Sequence, residues 1–326
     1  QGPLVSFFCV PSILIRCAAM ALASFKLFQQ VSLGDVYVFK IGCSCDGSAL
    51  TAATSANAVH IFDPTSLQPV RTLEGHGDTI TDLNFFQSNP ACLASCSTDG
   101  FARIWDLRAQ EVARTCAVNS KEVYSCSVGR GDSAIACASD QDVHLFDIAE
   151  GKRVHLYRDY HADVVSHVRF HPINTSILLS GGEDHTLVAL NTDAPQGTDA
   201  YLSIIANSEA VRSFTLIGPD RNTVCCASTT EDVRIWSLDG DAGMTRAEFL
   251  GLREHRLLAR EDMGGGYVVD SFYDEPSGKL FILAGACDGD LVLFNVTMED
   301  ALPVAAFSGQ LGTGGGADAA GGGGYV

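Results

Sequence analysis

The stretch DGFARIWDLR, residues 99–108, holds one of the two tryptophans of the chain between an Asp-Gly turn and an acid-then-base ending. Upstream, residues 73–98 read LEGHGDTITDLNFFQSNPACLASCST, and His76 lies 30 residues before Asp106. Three short apolar runs, 81–86, 93–97 and 102–105, are separated by Asn-Pro and Thr-Asp-Gly. Runs of this length between such turn residues predict hairpin-linked β-strands rather than helices.

The same unit recurs along the chain. Equivalent strands end in a bulky residue, and these residues are 43, 41, 44, 46 and 58 positions apart: Phe62, Trp105, Phe146, Leu190, Trp236 and Phe294. A run of small residues that ends in a turn precedes most of these strands, as in LASCSTDG and ILAGACDGD. One such unit cannot bury both faces of its small sheet, so six units must stack on one another.

This pattern resembles the WD-repeat β-propeller family over residues 31–308. The resemblance implies an all-β fold of four-stranded blades, six of them recognisable. In the family, a His after Gly, a second-strand Ser or Thr, a turn Asp and a third-strand Trp hydrogen-bond in series. In repeat 2 these positions hold His76, Ser95, Asp99 and Trp105. The network is physically sensible, because each of these polar groups would cost a few kcal/mol if it were buried without a partner.

The network is less complete elsewhere. Repeat 4 keeps His161, Ser180 and Asp184 but has Leu190 at the Trp position. Repeat 6 keeps the turn Asp, with apolar residues at the other sites, and repeats 1, 3 and 5 have lost most of the motif. We expect those blades to depend on apolar packing between sheets, which suits a chain that is 46% hydrophobic.

The family resemblance also implies a binding surface. In the family, residues of the entry loops and residues just before the turn Asp line that surface. Here those positions are Asp78, Thr79, Thr98, Asp163, Val164, Glu183 and Cys287. The resemblance implies a non-enzymatic scaffold for proteins or peptides, although each residue alone is also typical of ordinary polar surface. Phosphate loops, Gly-x-Ser-x-Gly elbows and His-Glu-x-x-His motifs are absent from the sequence, so we expect no catalytic residues, cofactor or metal.

Two alternatives stay open. The ending Trp105-Asp106-Leu107-Arg108 resembles the box by which propeller receptors dock onto the adaptor of cullin-4-type ubiquitin ligases. A planar Arg108 guanidinium on the narrow rim would suit bidentate binding. The ending is short and has no second copy here, and an Arg paired with Asp106 or with solvent would look the same. The second alternative is a small-molecule binder or enzyme that uses the central channel.

Composition limits the partners. A net charge of −18 and a pI near 4.7 argue against nucleic acid, which requires clustered Lys and Arg. An acidic surface is typical of a soluble protein and would also suit a basic protein partner. The apolar residues 4–21 are too short and too interrupted to span a bilayer, so we expect no membrane association. We expect a monomer within a larger complex.

Cysteine is abundant, with twelve residues. Five of them lie in small-residue strands, where a compact apolar side chain fits between sheets: Cys92, Cys96, Cys137, Cys225 and Cys226. The pairs Cys43/Cys45 and Cys225/Cys226 lack the partners that a zinc site needs. We interpret the cysteines as structural thiols and expect a reducing compartment, the cytosol or the nucleus.

The domain limits are predicted as follows. Residues 1–19 are expected to be a non-native or untranslated leader before Met20, residues 20–308 the propeller, and residues 309–326 a disordered Gly-rich tail. FSGQLG (307–312) resembles the usual Gly-His entry of a repeat, with Gln310 in place of His. Since the family resemblance implies a further repeat, we expect a seven-bladed ring that is truncated, with a six-bladed ring as the alternative. LASFKLFQQ (22–30) is expected to be the strand that closes the ring. Residues 239–266 are either the outer strand of blade 5 with a long loop or a short amphipathic helix.

Overall fold

A computed structural model describes residues 4–5, 23–24, 31–33, 36–109, 111–118, 122–194, 199–238, 245–259 and 265–307. The strands are β1 Leu4–Val5, β2 Ala23–Ser24, β3 Val31–Ser32, β4 Val38–Cys43, β5 Leu50–Thr54, β6 Ala58–Phe62, β7 Pro69–Glu74, β8 Ile80–Phe85, β9 Cys92–Ser97, β10 Phe101–Asp106, β11 Glu111–Ala117, β12 Ser125–Gly129, β13 Ala134–Ser139, β14 Asp142–Asp147, β15 Lys152–Tyr157, β16 Val165–Phe170, β17 Ile177–Gly182, β18 Thr186–Asn191, β19 Tyr201–Ala206, β20 Val211–Ile217, β21 Thr223–Ser228, β22 Val233–Ser237, β23 Thr245–Phe249, β24 Tyr267–Asp274, β25 Lys279–Gly285, β26 Leu291–Val296 and β27 Ala301–Phe307. A single 3₁₀ turn, Leu252–Glu254, lies among the described residues.

Six antiparallel blades follow one another along the chain: β4–β7, β8–β11, β12–β15, β16–β19, β20–β23 and β24–β27, numbered blades 1 to 6. The first strands of successive blades contact one another, which places them innermost, and the fourth strand of each blade is outermost. The predicted all-β propeller of four-stranded blades is confirmed, with six blades in the part of the chain that the structure describes.

The core lies between blades. Ile80, Leu83 and Trp105 of blade 2 pack against Val59 and Ile61 of blade 1, and all five side chains are buried. Equivalent apolar clusters lie between blades 2 and 3, 3 and 4, 4 and 5, and 5 and 6. Stacking of neighbouring sheets therefore supplies the burial that a single blade cannot.

The side of blade 1 that faces away from blade 2 is more open. Ile41 occupies the position that Leu83, Cys126, Val168 and Phe214 occupy on the first strands of blades 2 to 5. Those four side chains are at most 5% exposed because each packs on the preceding blade, whereas Ile41 is 48% exposed. Among the described residues, no blade covers Ile41 in the same way.

The described part of the expected closing segment does join blade 6. Ala23 and Ser24 pair in parallel with Ala305 and Ala306 of β27, so they form a fifth strand outside β27. Residues 309–326 and, apart from Leu4–Val5, residues 1–19 lie outside the described residues. The predicted leader, tail and seventh blade therefore stay predictions.

The insertion at 239–266 follows the strand alternative. Thr245–Phe249 is the outer strand of blade 5, and a loop with one 3₁₀ turn follows it. Leu258 is fully buried between blades 5 and 6, and the His255 ring meets Phe294 edge-on at 5.0 Å between centroids. The helix alternative is limited to Leu252–Glu254 among the described residues of this segment.

Candidate functional site

A chain of hydrogen bonds crosses blade 2 from its third strand to its entry loop. Trp105 Nε1 donates to Ser95 Oγ at 2.8 Å, and Ser95 Oγ lies 2.7 Å from His76 Nε2. His76 Nδ1 lies 2.9 Å from Asp99 Oδ2, which also accepts the Gly77 N–H at 2.9 Å. The network thus connects strands β9 and β10 to the entry loop, and it satisfies polar groups that the packed blade hides from water.

The electrostatics of this network favour a neutral imidazole beside a carboxylate. Burial lowers the pKa of His76, so its ring is neutral at pH 7. Burial alone would raise the pKa of Asp99, but the Gly77 N–H, His76 and Arg103 hold it at about 2. Arg103 Nη1 lies 2.8 Å from the Asp99 carboxylate. With every member bonded to another protein group, the arrangement is suited to holding the blade together.

Repeat 4 contains a shorter version. His161 Nε2 lies 2.8 Å from Ser180 Oγ, and His161 Nδ1 lies 3.1 Å from Asp184 Oδ2. Asp184 also accepts the Ala162 N–H at 2.8 Å. Burial opposes ionisation of Asp184, but these hydrogen bonds lower its pKa to about 2. Leu190 is fully buried at the Trp position, so the network ends at the serine.

Repeat 6 shows the most reduced arrangement. Ala284 and Phe294 are both fully buried and bring no polar group into the blade. The turn residue Asp288 accepts the N–H of Asp290 at 3.1 Å. Apolar packing therefore replaces the hydrogen-bonded series in this blade.

Blade 5 contains an interrupted series that the sequence motif did not reveal. Asn207 lies four residues before Val211 at the start of β20, which is the position of the entry His in blades 2 and 4. Trp236 pairs with Val224, as Trp105 pairs with Leu93, so Cys226 occupies the serine position. Asn207 Oδ1 and Trp236 Nε1 are buried without a hydrogen-bond partner. A thiol where blades 2 and 4 have a hydroxyl explains both unsatisfied atoms.

We define the turn-end face as the end of the blades that carries the entry loops and the turns between second and third strands. On blade 2 it holds Asp78, Thr79 and Thr98. Asp78 Oδ1 accepts the Thr79 N–H at 2.7 Å, and the Thr98 N–H donates to the Thr79 carbonyl at 3.0 Å. Asp78 is exposed, while the two threonines are half-buried.

Blade 4 repeats this arrangement with different side chains. Asp163 Oδ1 accepts the Val164 N–H, and the Glu183 N–H donates to the Val164 carbonyl, both at 2.8 Å. Asp163 and Glu183 are exposed. Cys287 of blade 6 is exposed too, with its Sγ 3.6 Å from the Gly265 carbonyl. The structure therefore places all seven predicted surface residues on the turn-end face. The binding of a partner by this face stays a prediction.

Acidic side chains surround one phenol on this face. The Tyr124 hydroxyl donates to Glu122 Oε2 at 3.0 Å. Burial raises the pKa of Tyr124, and the nearby carboxylates of Glu122, Asp140 and Glu183 raise it further. The negative potential therefore extends from blade 3 to blade 4, between the entry loops.

Arg108 lies at the opposite end of blade 2. The six-residue strand β10 separates it from Thr98 by about 20 Å. Asp106 Oδ1 accepts the backbone N–H of Arg108 at 2.8 Å, so Asp106 caps the turn. The Arg108 guanidinium is exposed and makes no hydrogen bond or ion pair with the described residues.

Beside Arg108, a groove of about 460 Å³ runs between blades 1 and 2. Arg71 crosses it from blade 1 and donates to the carbonyl of Leu107. Apolar side chains of Ile61 and Phe62 form part of its wall. The end of the propeller opposite the turn-end face therefore carries two arginines at one junction.

The innermost strands hold a charged cluster that the motif analysis missed. Asp82 is 1% exposed, and Arg169 Nη1 and Ser125 Oγ lie 2.9 and 2.8 Å from its Oδ2. Lys40 Nζ lies 3.6 Å from Oδ1. Burial alone would raise the pKa of Asp82, but Arg169 and Lys40 hold it well below its usual range. A charge inside an apolar innermost strand, as in ITDLNF, is the signal that could have identified this cluster.

The described residues contain neither a metal-binding cluster nor a membrane-spanning helix. In the described part of the chain, no group of three or more His, Cys, Asp or Glu side chains has an arrangement that could hold a metal ion. None of the helices among the described residues has the length and apolar character required to cross a membrane.

This architecture is similar to that of known proteins, both in one repeat and in overall fold. Residues 67–106, which contain the hydrogen-bonded series of blade 2, match the family model "WD domain, G-beta repeat". The chain therefore contains a WD-type repeat, and its six-bladed fold is that of a β-propeller. Its fold also resembles that of a propeller chain in the "Crystal Structure of Mitotic Checkpoint Complex", with a TM-score of 0.67, 21% identity, and coverage of 82% of this chain and 76% of that one.

Two proteins with WD repeats in their names are similar to most of this chain. It is 29% identical to "WD repeat-containing protein GTS1" of Arabidopsis thaliana, over 83% of this chain and 70% of the relative. It is 25% identical to the "WD repeat-containing protein 89 homolog" of Dictyostelium discoideum, over 84% and 74%. The latter agrees with the resemblance of YHADVVSHVRFHPINTSILLSGGEDHTLVALN (160–191) to WD repeat-containing protein 89. A shorter match is 39% identical to "DDB1- and CUL4-associated factor 10" of Xenopus tropicalis, over 22% of this chain and 15% of that protein.

Proposed function

We propose that this propeller is a non-enzymatic scaffold that presents its turn-end face to a protein or peptide with basic residues. WD-repeat propellers in general bind proteins, and the structural neighbour belongs to a multiprotein complex by its title. The observation that carries the proposal is the acidic region of blades 3 and 4. There Glu122, Asp163 and Glu183 lie around two adjacent entry loops.

The acidic region is suited to selecting a partner by charge. Asp163 and Glu183 are exposed. Asp163 Oδ1 accepts the Val164 N–H, whereas Glu183 bonds to the Val164 carbonyl through its backbone N–H, so these two bonds leave carboxylate oxygens available. A net charge of −18 adds a long-range attraction for basic segments. Complementary charge of this kind increases the association rate and the specificity of binding.

Affinity purification with stoichiometric mass spectrometry tests the proposal. The bait is the full chain, compared with the double variant Asp163→Lys/Glu183→Lys. The matched control is Glu150→Lys/Asp220→Lys, which reverses two exposed carboxylates in loops at the opposite end of the blades. We expect a stoichiometric basic partner with wild type and control that is lost with the first variant. Equal recovery with all three proteins would overturn the proposed face.

The central channel supports a scaffold better than a small-molecule site. Three charged groups of its innermost strands pair with one another, because Arg169 and Lys40 both pair with Asp82. A burial-lowered pKa keeps His167 neutral beside them. Thermal unfolding in the presence of metabolites measures the alternative, since any ligand that binds the folded state raises the melting temperature.

A second candidate function is docking to the adaptor of a cullin-4-type ubiquitin ligase. The support is the exposed guanidinium of Arg108 after Trp105-Asp106-Leu107, which forms no ion pair with a described residue, together with the partial match to a relative whose name contains CUL4. Co-precipitation of the adaptor with wild type and its loss with Arg108→Ala would support this function. Arg130→Ala is the matched control, since Arg130 is a partly exposed Arg on another blade that pairs with Asp193. Absence of the adaptor from wild-type precipitates would exclude it.

The cellular setting is part of the same proposal. Nine described cysteines, all except Cys43, are free thiols, which supports the cytosol or the nucleus. The acidic charge supports a protein partner rather than nucleic acid, and the scaffold is proposed to act as a monomer within a larger complex.

A further inference from the structure

The outer strand of blade 4, β19, has an unusual composition for an exposed sheet edge. Its sequence is Tyr-Leu-Ser-Ile-Ile-Ala, from Tyr201 to Ala206. Tyr201, Leu202 and Ile204 are 41%, 46% and 44% exposed. The strand is outermost in its sheet, and no other described strand pairs with its outer edge. Its free backbone groups therefore border exposed apolar side chains.

The other outer strands carry the features that normally prevent edge pairing. Charged residues occur in β7, β11, β15 and β23: Arg71 and Glu74, Glu111 and Arg114, Lys152 and Arg153, and Arg246 and Glu248. Charges and prolines on an edge disfavour the addition of another strand. Of the six outer strands described, β19 is the one with neither a charge nor a proline.

Blade 6 has the second outer strand without charged residues among those described. Its outer strand β27 also lacks charged residues, although it contains Pro303. A fifth strand, Ala23–Ser24, pairs in parallel with that edge. Two residues of the uncharged outer strand of blade 6 are thus paired with a fifth strand, whereas the outer strand of blade 4 is open among the described residues.

The strand is also held in place for pairing. The Tyr201 ring lies nearly parallel to that of Tyr160, at 8° and with centroids 6.5 Å apart. Tyr160 in turn contacts Tyr157, which is fully buried in blade 3. Tyr and Ile favour extended backbone, so the edge is suited to receiving a strand.

We propose that β19 binds an extended segment of a partner protein as a fifth strand of blade 4, with apolar side chains at the centre and basic residues at its ends. The charge argument comes from the start of β19 and from the whole chain. Asp199 is exposed just before the strand, and the net charge of the chain is −18. Lys or Arg at the ends of the segment would be attracted by these negative charges while its backbone extends the sheet.

A second copy of this chain fits the edge less well. Two copies would each bring a net charge of −18, which opposes close approach. The strand has six residues and is about 20 Å long, so an edge-to-edge pair would be far smaller than the roughly 800 Å² per partner of a stable interface. A partner that also contacts another surface does not have this limit. The inference rests on the proposed function only in that the chain binds proteins.

The test uses a defined probe. It is a fluorescein-labelled peptide, Lys-Lys-Val-Thr-Val-Tyr-Val-Lys-Lys, titrated with the full chain and followed by fluorescence polarisation. We expect saturable binding to wild type and roughly tenfold weaker binding to Ile204→Lys. The matched control is Val154→Lys, which changes a 51% exposed valine on the outer strand of blade 3 and should bind like wild type. Thermal unfolding verifies that both variants are folded.

Three results would overturn the proposal. The first is no saturable binding by wild type, and the second is equal binding by Ile204→Lys. The third is equal binding of the same peptide with proline replacing its central valine, since a strand must donate backbone hydrogen bonds. A concentration-dependent dimer of wild type that is lost in Ile204→Lys would assign the edge to a second copy instead. Because Asp163 and Glu183 are unchanged in these proteins, failure here leaves the turn-end face to be decided by its own experiment.

Discussion

Arg169 of blade 4 reaches Asp82 of blade 2 across the innermost strands, with 2.9 Å between Arg169 Nη1 and Asp82 Oδ2, although the residues are 87 positions apart in sequence. The same carboxylate accepts a hydrogen bond from Ser125 of blade 3 and pairs with Lys40 of blade 1. The buried side chain of Asp82 therefore connects blade 2 to three other blades.

Replacement of Asp82 by alanine is expected to lower the free energy of unfolding by roughly 3–5 kcal/mol, because it leaves the Arg169 charge without its buried partner. The double variant Asp82→Leu/Arg169→Met should recover most of that loss, since it removes both charges. Urea unfolding measures both values. Asp78→Ala, an exposed control in the same blade, should change stability by less than about 0.5 kcal/mol. A similarly small effect of Asp82→Ala would show that the cluster does not hold the blades together.

Two substitutions in the hydrogen-bonded series of blade 2 are expected to lower the free energy of unfolding by different amounts. Trp105→Ala should cost roughly 3–5 kcal/mol through the cavity and the lost hydrogen bond. Ser95→Ala should cost about 1–3 kcal/mol, because Trp105 Nε1 and His76 Nε2 then lose their common partner without a large cavity. Denaturant unfolding distinguishes the two. If Trp105→Ala melts at the wild-type temperature, blade 2 is not packed around this residue.

Cys226→Ser is expected to stabilise the protein by about 1 kcal/mol. A hydroxyl at this position can accept from Trp236 Nε1 and donate to Asn207 Oδ1, and both of these buried atoms are unsatisfied in the wild type. Thermal and urea unfolding measure the gain. Cys137→Ser is the control, because Cys137 holds the same position in blade 3, where Phe146 pairs at the Trp position and offers no N–H. That variant should lose stability, and equal effects of the two substitutions would contradict the explanation.

Stability is expected to fall steeply in acid. The folded pKa of Asp99 and of Asp184 is about 2, below the value of 3.8 for an unperturbed Asp. The unfolded chain therefore binds protons first as the pH falls, so the contribution of each carboxylate is complete above pH 4 and is lost between about 4 and 2. Urea unfolding of wild type and Asp99→Asn across pH 2–7 measures it. The two should differ by roughly 1–2 kcal/mol at pH 7 and converge near pH 2, and a constant difference would show that Asp99 does not act through its charge.

The repeat could be recognised from the sequence because its signals are local. Turn residues at fixed offsets, small-residue second strands and bulky strand ends predict four-stranded units whose faces must be covered by neighbours. The spacing from His76 through Ser95 and Asp99 to Trp105 likewise identifies side chains that local strand geometry brings together. Six blades and the bonded series of blade 2 follow from such information.

The contacts between blades could be known only from the tertiary structure. Asp82, Arg169 and Lys40 meet because the innermost strands of different blades converge on one axis, and no local spacing relates residues 87 positions apart. Only the strand register showed that Asn207, Cys226 and Trp236 of blade 5 occupy the positions of the hydrogen-bonded series, which is interrupted there. Strand order made β19 an open edge, whereas it left β27 paired with Ala23–Ser24. Each outcome depends on which strand lies beside which, and pairing of that kind is fixed by the packing of neighbouring blades rather than by the residues of one strand.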